Sequence, residues 1–138
     1  MSVTQLSVFI ENKPGRLAAV TRSLGKAGVN IRGFSIADTA DYGILRLLVD
    51  QEEAAREVLR ANDFMVHENQ IILAEVPDCP GGFAGVLDII ADLTTNVEYT
   101  YATANSLIAL GVEHREQAEV ELSARGIRLL DSVDLAKL

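Results

Sequence analysis

Residues 6–31, LSVFIENKPGRLAAVTRSLGKAGVNI, and residues 72–97, ILAEVPDCPGGFAGVLDIIADLTTNV, carry one pattern twice. A shift of 66 sets Pro14-Gly15 on Pro80-Gly81 and Asn30-Ile31 on Asn96-Val97. It also sets Leu6, Val8 and Ile10 on Ile72, Ala74 and Val76, and Leu17, Val20, Leu24 and Ala27 on Phe83, Val86, Ile90 and Leu93. Beyond Tyr42 the shift becomes 63, so that Leu45, Leu47 and Val49 meet Ile108, Leu110 and Val112. Ala55, Leu59, Phe64 and Val66 then meet Ala118, Leu122, Ile127 and Leu129. Self-similarity at a fixed period marks a duplicated architecture. The chain reads as two homologous halves, residues 1–69 and 70–138, with three residues missing from one connection of the second.

Each half spells the same elements. Leu6 to Ile10 alternates apolar and polar, which predicts a strand. Pro14 is favoured at a first helical position, where its missing N–H costs nothing. Leu17, Val20, Leu24 and Ala27 recur at helical spacing, and Gly28 is a C-terminal stop. Val29 to Ala37 is a β-rich run in which Gly33 marks a bulge or kink. Asp41-Tyr42-Gly43 is a turn signal before a strand over Ile44–Val49. Gln51 to Asn62 has the composition of a surface helix, and Phe64 to Glu68 supplies a short last strand. The second half runs Ile71–Val76, Pro80–Leu93, Val97–Thr103, Leu107–Val112, His114–Arg125 and Ile127–Leu130. The order βαββαβ predicts an α+β fold of two ferredoxin-like units in tandem, antiparallel sheets with helices on one face. Ile44 and Leu48 are out of phase with Leu45, Leu47 and Val49, so the helix-free face is apolar too and needs a cover.

The 138 residues hold 12 Lys+Arg and 20 Asp+Glu, a formal net charge of −8. That balance argues against nucleic acid and against an anionic membrane surface, since both need clustered cations. No apolar run approaches the roughly 18 to 20 residues of a membrane span, and no secretory leader is legible at the N-terminus. A cytoplasmic location is therefore expected. One cysteine, Cys79, and two histidines, His67 and His114, make a Cys/His metal site improbable, and no cofactor is implied. Both histidines read as surface residues. Residues 1–69 carry −1 and residues 70–138 carry −7, so the acidity belongs to the second half, on helices expected to face solvent.

Function is sought in the loops. The strand-to-helix loops read Glu11-Asn12-Lys13-Pro14-Gly15-Arg16-Leu17 and Pro77-Asp78-Cys79-Pro80-Gly81-Gly82-Phe83. Glycine one residue into a helix lets a ligand approach the backbone, and the free N–H groups of Gly15, Arg16 and Leu17 suit a carboxylate. Asn12 and Asp78 are placed to cap the helices or brace the loops. Asn30 and Asn96 open the second strand, where a β-branched residue would be the default. Loop and asparagine lie at opposite ends of the first helix, so they meet only across an interface between units. Tyr99 and Tyr101 share one strand face and are expected to pack. Cys79 precedes a helix N-terminus without a base or partner cysteine, so it is not read as redox-active.

Asn12 to Leu17 followed by Ala27-Gly28-Val29-Asn30-Ile31 resembles the ACT domain, a small regulatory module of amino-acid metabolism. The second copy is similar but departs at Gly82-Phe83 and at Thr94-Thr95, where the first has Gly28-Val29. The resemblance covers nearly the whole chain and implies no catalytic residues and no catalytic domain. It implies an amino acid or related small carboxylate bound between modules, at Asn12, Gly15, Arg16, Leu17 and Asn30, and at Asp78, Gly81, Gly82, Phe83 and Asn96. It also implies a homodimer, with an enzyme as a possible partner. The rival readings are a structural or dimerisation module without a ligand, and a small regulatory subunit of an amino-acid biosynthetic enzyme.

Overall fold

Strand β1 (Val3–Glu11) buries Leu6, Val8 and Ile10 on one face, as its alternation requires. Against them lie Val20 and Leu24 of α1 (Arg16–Lys26), the inward residues of β3 (Tyr42–Val49), and Ala55 and Leu59 of α2 (Glu52–Ala61). Edge strand β2 (Ile31–Asp38) and the start of β4 (Met65–Glu75) complete the first sheet in the order β2-β3-β1-β4. In the second half α3 (Gly82–Asp92) and α4 (Arg115–Ala124) cover a sheet of order β7-β4-β6-β5. Its strands are the end of β4, β5 (Val97–Ala102), β6 (Leu107–Val112) and β7 (Leu129–Leu130). The pairings are antiparallel, so each half is a βαββαβ unit with both helices on one face.

The computed structural model describes residues 2–38 and 41–138. These divide into two units: Thr4–Asn69 with Leu135–Leu138, and residues 2–3 with Gln70–Asp134. The second core repeats the first almost residue for residue. Ile72, Ala74 and Val76 stand where Leu6, Val8 and Ile10 stood, and Ala118 and Leu122 where Ala55 and Leu59 stood. Ala27, just past the end of α1, is exposed instead, and so are Leu17 and Phe83. Leu17 and Phe83, each in the first turn of its helix, are in phase with the core yet 40% and 36% exposed. On the helix-free faces Leu48, Ile71, Leu73 and Ala109 are buried as well.

Gly33 does sit at a register shift between Ile31 and Gly33, and β5 repeats it between Val97 and Tyr99. Several boundaries differ from the sequence reading. Pro14 and Pro80 do not open their helices. Gly15 and Gly81, at φ +83 and +82, occupy the cap position in the left-handed region, and helix begins only after them. Strand β3 starts at Tyr42, since Tyr42 and Gly43 pair with Glu11 and Ile10 instead of turning. The segments read as strands over Phe64–Glu68 and Ile71–Val76 are one strand, β4, because nothing between them breaks an extended backbone. The last strand shrinks to Leu129–Leu130, and a short helix, α5 (Ser132–Ala136), follows. Asp131 and Asp134 bond each other's backbone N–H at 2.9–3.0 Å, a reciprocal cap that explains it. Glu119 is not solvated as expected: it is 9% exposed and takes a 2.7 Å bond from the Arg115 guanidinium.

Candidate functional site

The corner between β1 and α1 is built by backbone. The Lys13 N–H donates to Glu11 O at 2.8 Å, the Arg16 N–H to Lys13 O at 3.3 Å, and the Asn12 N–H to Asp41 O at 3.0 Å. Arg16 therefore does not offer a free N–H, as the sequence reading expected. Among the described residues the N–H groups of Gly15 and Leu17 donate to nothing, and a Cβ on Gly15 would meet open space. The cap position of α1 and of α3 is a glycine, so neither Asn12 nor Asp78 occupies it. The Arg16 guanidinium lies 4.7 Å from the centroid of the buried Phe64 ring, which holds a cation at the helix start. Lys13 Nζ meets Glu11 Oε2 at 2.8 Å. Its hydrogen bond and charge hold the Glu11 carboxyl below the usual range, and Glu11 raises Lys13 in return.

The second corner keeps the turn and loses the cations. Gly82 N–H donates to Cys79 O at 3.0 Å and Cys79 N–H to Pro77 O at 2.9 Å. A Cβ on Gly82 would fall 2.0 Å from Pro77 O, so this tighter loop has no room for the arginine found at position 16. Asp78, Cys79 and Gly81 are exposed around it.

At the far end of α1, Gly28 takes φ +75 and Gln51 Nε2 donates to its carbonyl at 2.9 Å. Asn30 is exposed. Its N–H donates to Asp50 Oδ1 at 2.8 Å and its carbonyl accepts from Asp50 N–H at 3.2 Å. Both bonds are made by the Asn30 backbone, and its side-chain amide has no hydrogen bond among the described residues. In the second half Asn96 O accepts from Glu113 N–H at 3.0 Å, and Asn96 is also exposed. Here the sequence reading missed a contact. His114 is not a bare surface residue: its N–H donates to the buried Thr95 hydroxyl at 3.0 Å, and its Nδ1 lies 3.2 Å from the same oxygen. Position 114 corresponds to Gln51, the residue that braces Gly28, and that correspondence was the available signal. Tyr99 and Tyr101 pack as expected; the Tyr99 ring lies over Gly111 and Tyr101 is buried.

Two corners of one design, αL glycine before a helix and asparagine after it, recur in both halves. A family model for the ACT domain pair matches residues 1–136. The chain belongs to the ACT domain pair family. A protein of Bacteroides thetaiotaomicron of known structure, BT0572, is similar at 34% identity and a TM-score of 0.94, over 100% of this chain and 98% of that one. The ligand-free regulatory subunit of aspartate kinase from Thermus thermophilus is 20% identical, with a TM-score of 0.62 over 88% and 89% of the two chains. The corresponding subunit from Thermus flavus gives 20% and 0.58 over 88% of each. At 20% identity the likeness is one of fold. No curated protein matches the chain.

Within each ACT module the loop residues cluster at one end of the first helix and the asparagine at the other. Eleven residues of α1 rise about 16 Å between them. Asn12, Gly15, Arg16 and Leu17 therefore come together, as do Asp78, Gly81, Gly82 and Phe83, while Asn30 and Asn96 stay remote from the loop of their own module. No three metal-ligating side chains converge among the described residues, and no described helix is long and apolar enough to cross a membrane.

Proposed function

We propose that this ACT pair, with modules over residues 1–69 and 70–138, binds an amino acid or a related small carboxylate and acts as a regulatory protein without catalysis of its own. The observation that carries the reading is the first corner. Gly15 in the left-handed region leaves two N–H groups unspent beside the Arg16 guanidinium, in a loop where Lys13 is already paired with Glu11, a donor-rich setting with one cation for a carboxylate. Asp78 at the second corner, with no cation in its loop, suits an ammonium group instead. A free amino acid bears both charges. Because some 16 Å separates the loop from Asn30 within one module, a small effector that touches both takes the asparagine from a neighbouring module, as a homodimer would supply it. The resemblance of fold to a regulatory subunit of aspartate kinase supports a partner enzyme as the reader of binding. Binding then acts by favouring one packing of the modules over another.

A thermal-shift panel of the common amino acids and their keto acids at millimolar concentration tests this. A ligand at about 100 times its Kd adds roughly 2.7 kcal/mol of stability. The expected result is a shift with one chemical class that Asn30→Ala abolishes while leaving the unliganded melting temperature unchanged. No shift with any compound would make the chain a structural module instead.

A further inference from the structure

The two modules differ most in charge, and the difference is localised. In the first module the groove between α1 and α2 is lined by Ala19, Arg22, Ser23, Lys26, Val58 and Asn62, two cations and no acid. The internal repeat maps these positions onto Gly85, Asp88, Ile89, Asp92, Glu121 and Arg125, three acids and one cation. The same scaffold thus carries +2 at one groove and −2 at the other.

The polar side chains of the first groove fold back on their own helices. Ser23 Oγ donates to Ala19 O at 2.8 Å and Asn62 Nδ2 to Val58 O at 2.7 Å. Arg22 and Lys26 are exposed and make no ion pair among the described residues. In the second groove Arg125 is spent mainly on Glu121, at 2.9 Å, and only grazes Asp92 at 3.9 Å. Asp88 is exposed and unpaired among the described residues. On each helix the two charges stand one turn apart, about 6 Å along the axis. An antiparallel approach of α1 to α3 would therefore set Arg22 against Asp92 and Lys26 against Asp88. Small residues, Ala19 and Ser23 on one side and Gly85 on the other, let the helices come close.

We propose that the α1–α2 groove of one copy docks the α3–α4 face of a second copy. Any acidic protein would be drawn to two cations. A second copy is favoured because this chain presents the inverted charges at equivalent positions, with the same spacing. The interface is heterologous, joining unlike surfaces. Individual exposed ion pairs contribute little, so the association is weak and steeply salt-dependent. It does not rest on effector binding: none of these side chains belongs to either corner, so it can fail while the effector reading stands.

Sedimentation equilibrium of the full chain tests it, at about 50 mM and about 500 mM NaCl. Wild type is expected to associate at low salt and to lose that step at high salt. Arg22→Asp/Lys26→Asp and Asp88→Lys/Asp92→Lys should each weaken it about tenfold or more. Mixing the two variants should restore it, since one then carries only acidic and the other only basic faces. All four residues are exposed, and unchanged melting temperatures would show that both variants fold. A wild-type mass indifferent to salt, a variant that associates like wild type, or a mixture no heavier than its components would overturn the proposal.

Discussion

Single residues in this chain are chosen by backbone geometry more than by chemistry. Gly82 faces Pro77 O so closely that Gly82→Ala must move backbone, at a cost of about 1–3 kcal/mol in chemical denaturation. Thr94 shows the opposite mismatch. It occupies the position of Gly28 at φ +52, where a β-branched residue is strained. Thr94→Gly should therefore stabilise by about 1 kcal/mol, and a loss of stability would refute the strain argument. The ion pair at the first corner has a readable sign. Because the Lys13 hydrogen bond lowers the Glu11 carboxyl, its contribution is complete above the ordinary glutamate pKa and fades as pH falls through the lowered value. Lys13, raised by Glu11, keeps its part until pH climbs through the raised lysine value. In an NMR titration, Lys13→Gln should move the Glu11 midpoint upward to the usual carboxylate range; an unmoved midpoint would assign the shift elsewhere.

Elements are where the duplication has been rewritten most economically. In the first module Gly33 pairs with buried Leu48, and in the second Tyr99 pairs with Gly111. The large residue has changed strands while the cross-strand pair kept one large and one small member. A Cβ at Gly111 would lie 2.3 Å from the Tyr99 ring. Gly111→Leu alone should cost about 1–3 kcal/mol. The double change Tyr99→Gly/Gly111→Leu copies the first module's pair. It should be less destabilising than the sum of the two single changes by about 0.5–3 kcal/mol, measured in a double-mutant cycle. Strict additivity would mean that the two positions do not compensate.

The whole chain does not divide simply at its midpoint. Leu135–Leu138 belong with Thr4–Asn69, and residues 2–3 belong with Gln70–Asp134. Leu135 is 2% exposed, and Arg32 Nη2 donates to Ala136 O at 3.3 Å beside the start of β2. At the other end Ser2 Oγ donates to Gln70 Oε1 at 2.8 Å. Leu135→Ala should cost about 2–5 kcal/mol. Hydrogen exchange should show the loss of protection in Thr4–Asn69 first, although that residue lies at the far end of the chain. Loss confined to Gln70–Asp134 would contradict the assignment.

Much of this is legible in the sequence alone. The presence of most strands, the four long helices, the two cores and the duplication follow from apolar spacing, because a core residue is specified by local periodicity that survives copying; strand ends do not. The loop and asparagine candidates were legible too, since glycine and asparagine are unusual where they stand. Contacts between residues distant in the chain were not legible. Gly82 under Pro77, Thr95 with His114, Tyr99 over Gly111 and Leu135 in the first module's unit depend on which atoms meet in space. Periodicity says which side of a strand or helix is buried; it carries no information on the partner across a register or on where a terminus returns. The repeated pattern therefore determined two modules with one core plan, while folding decided how each module spent its small, polar and terminal residues.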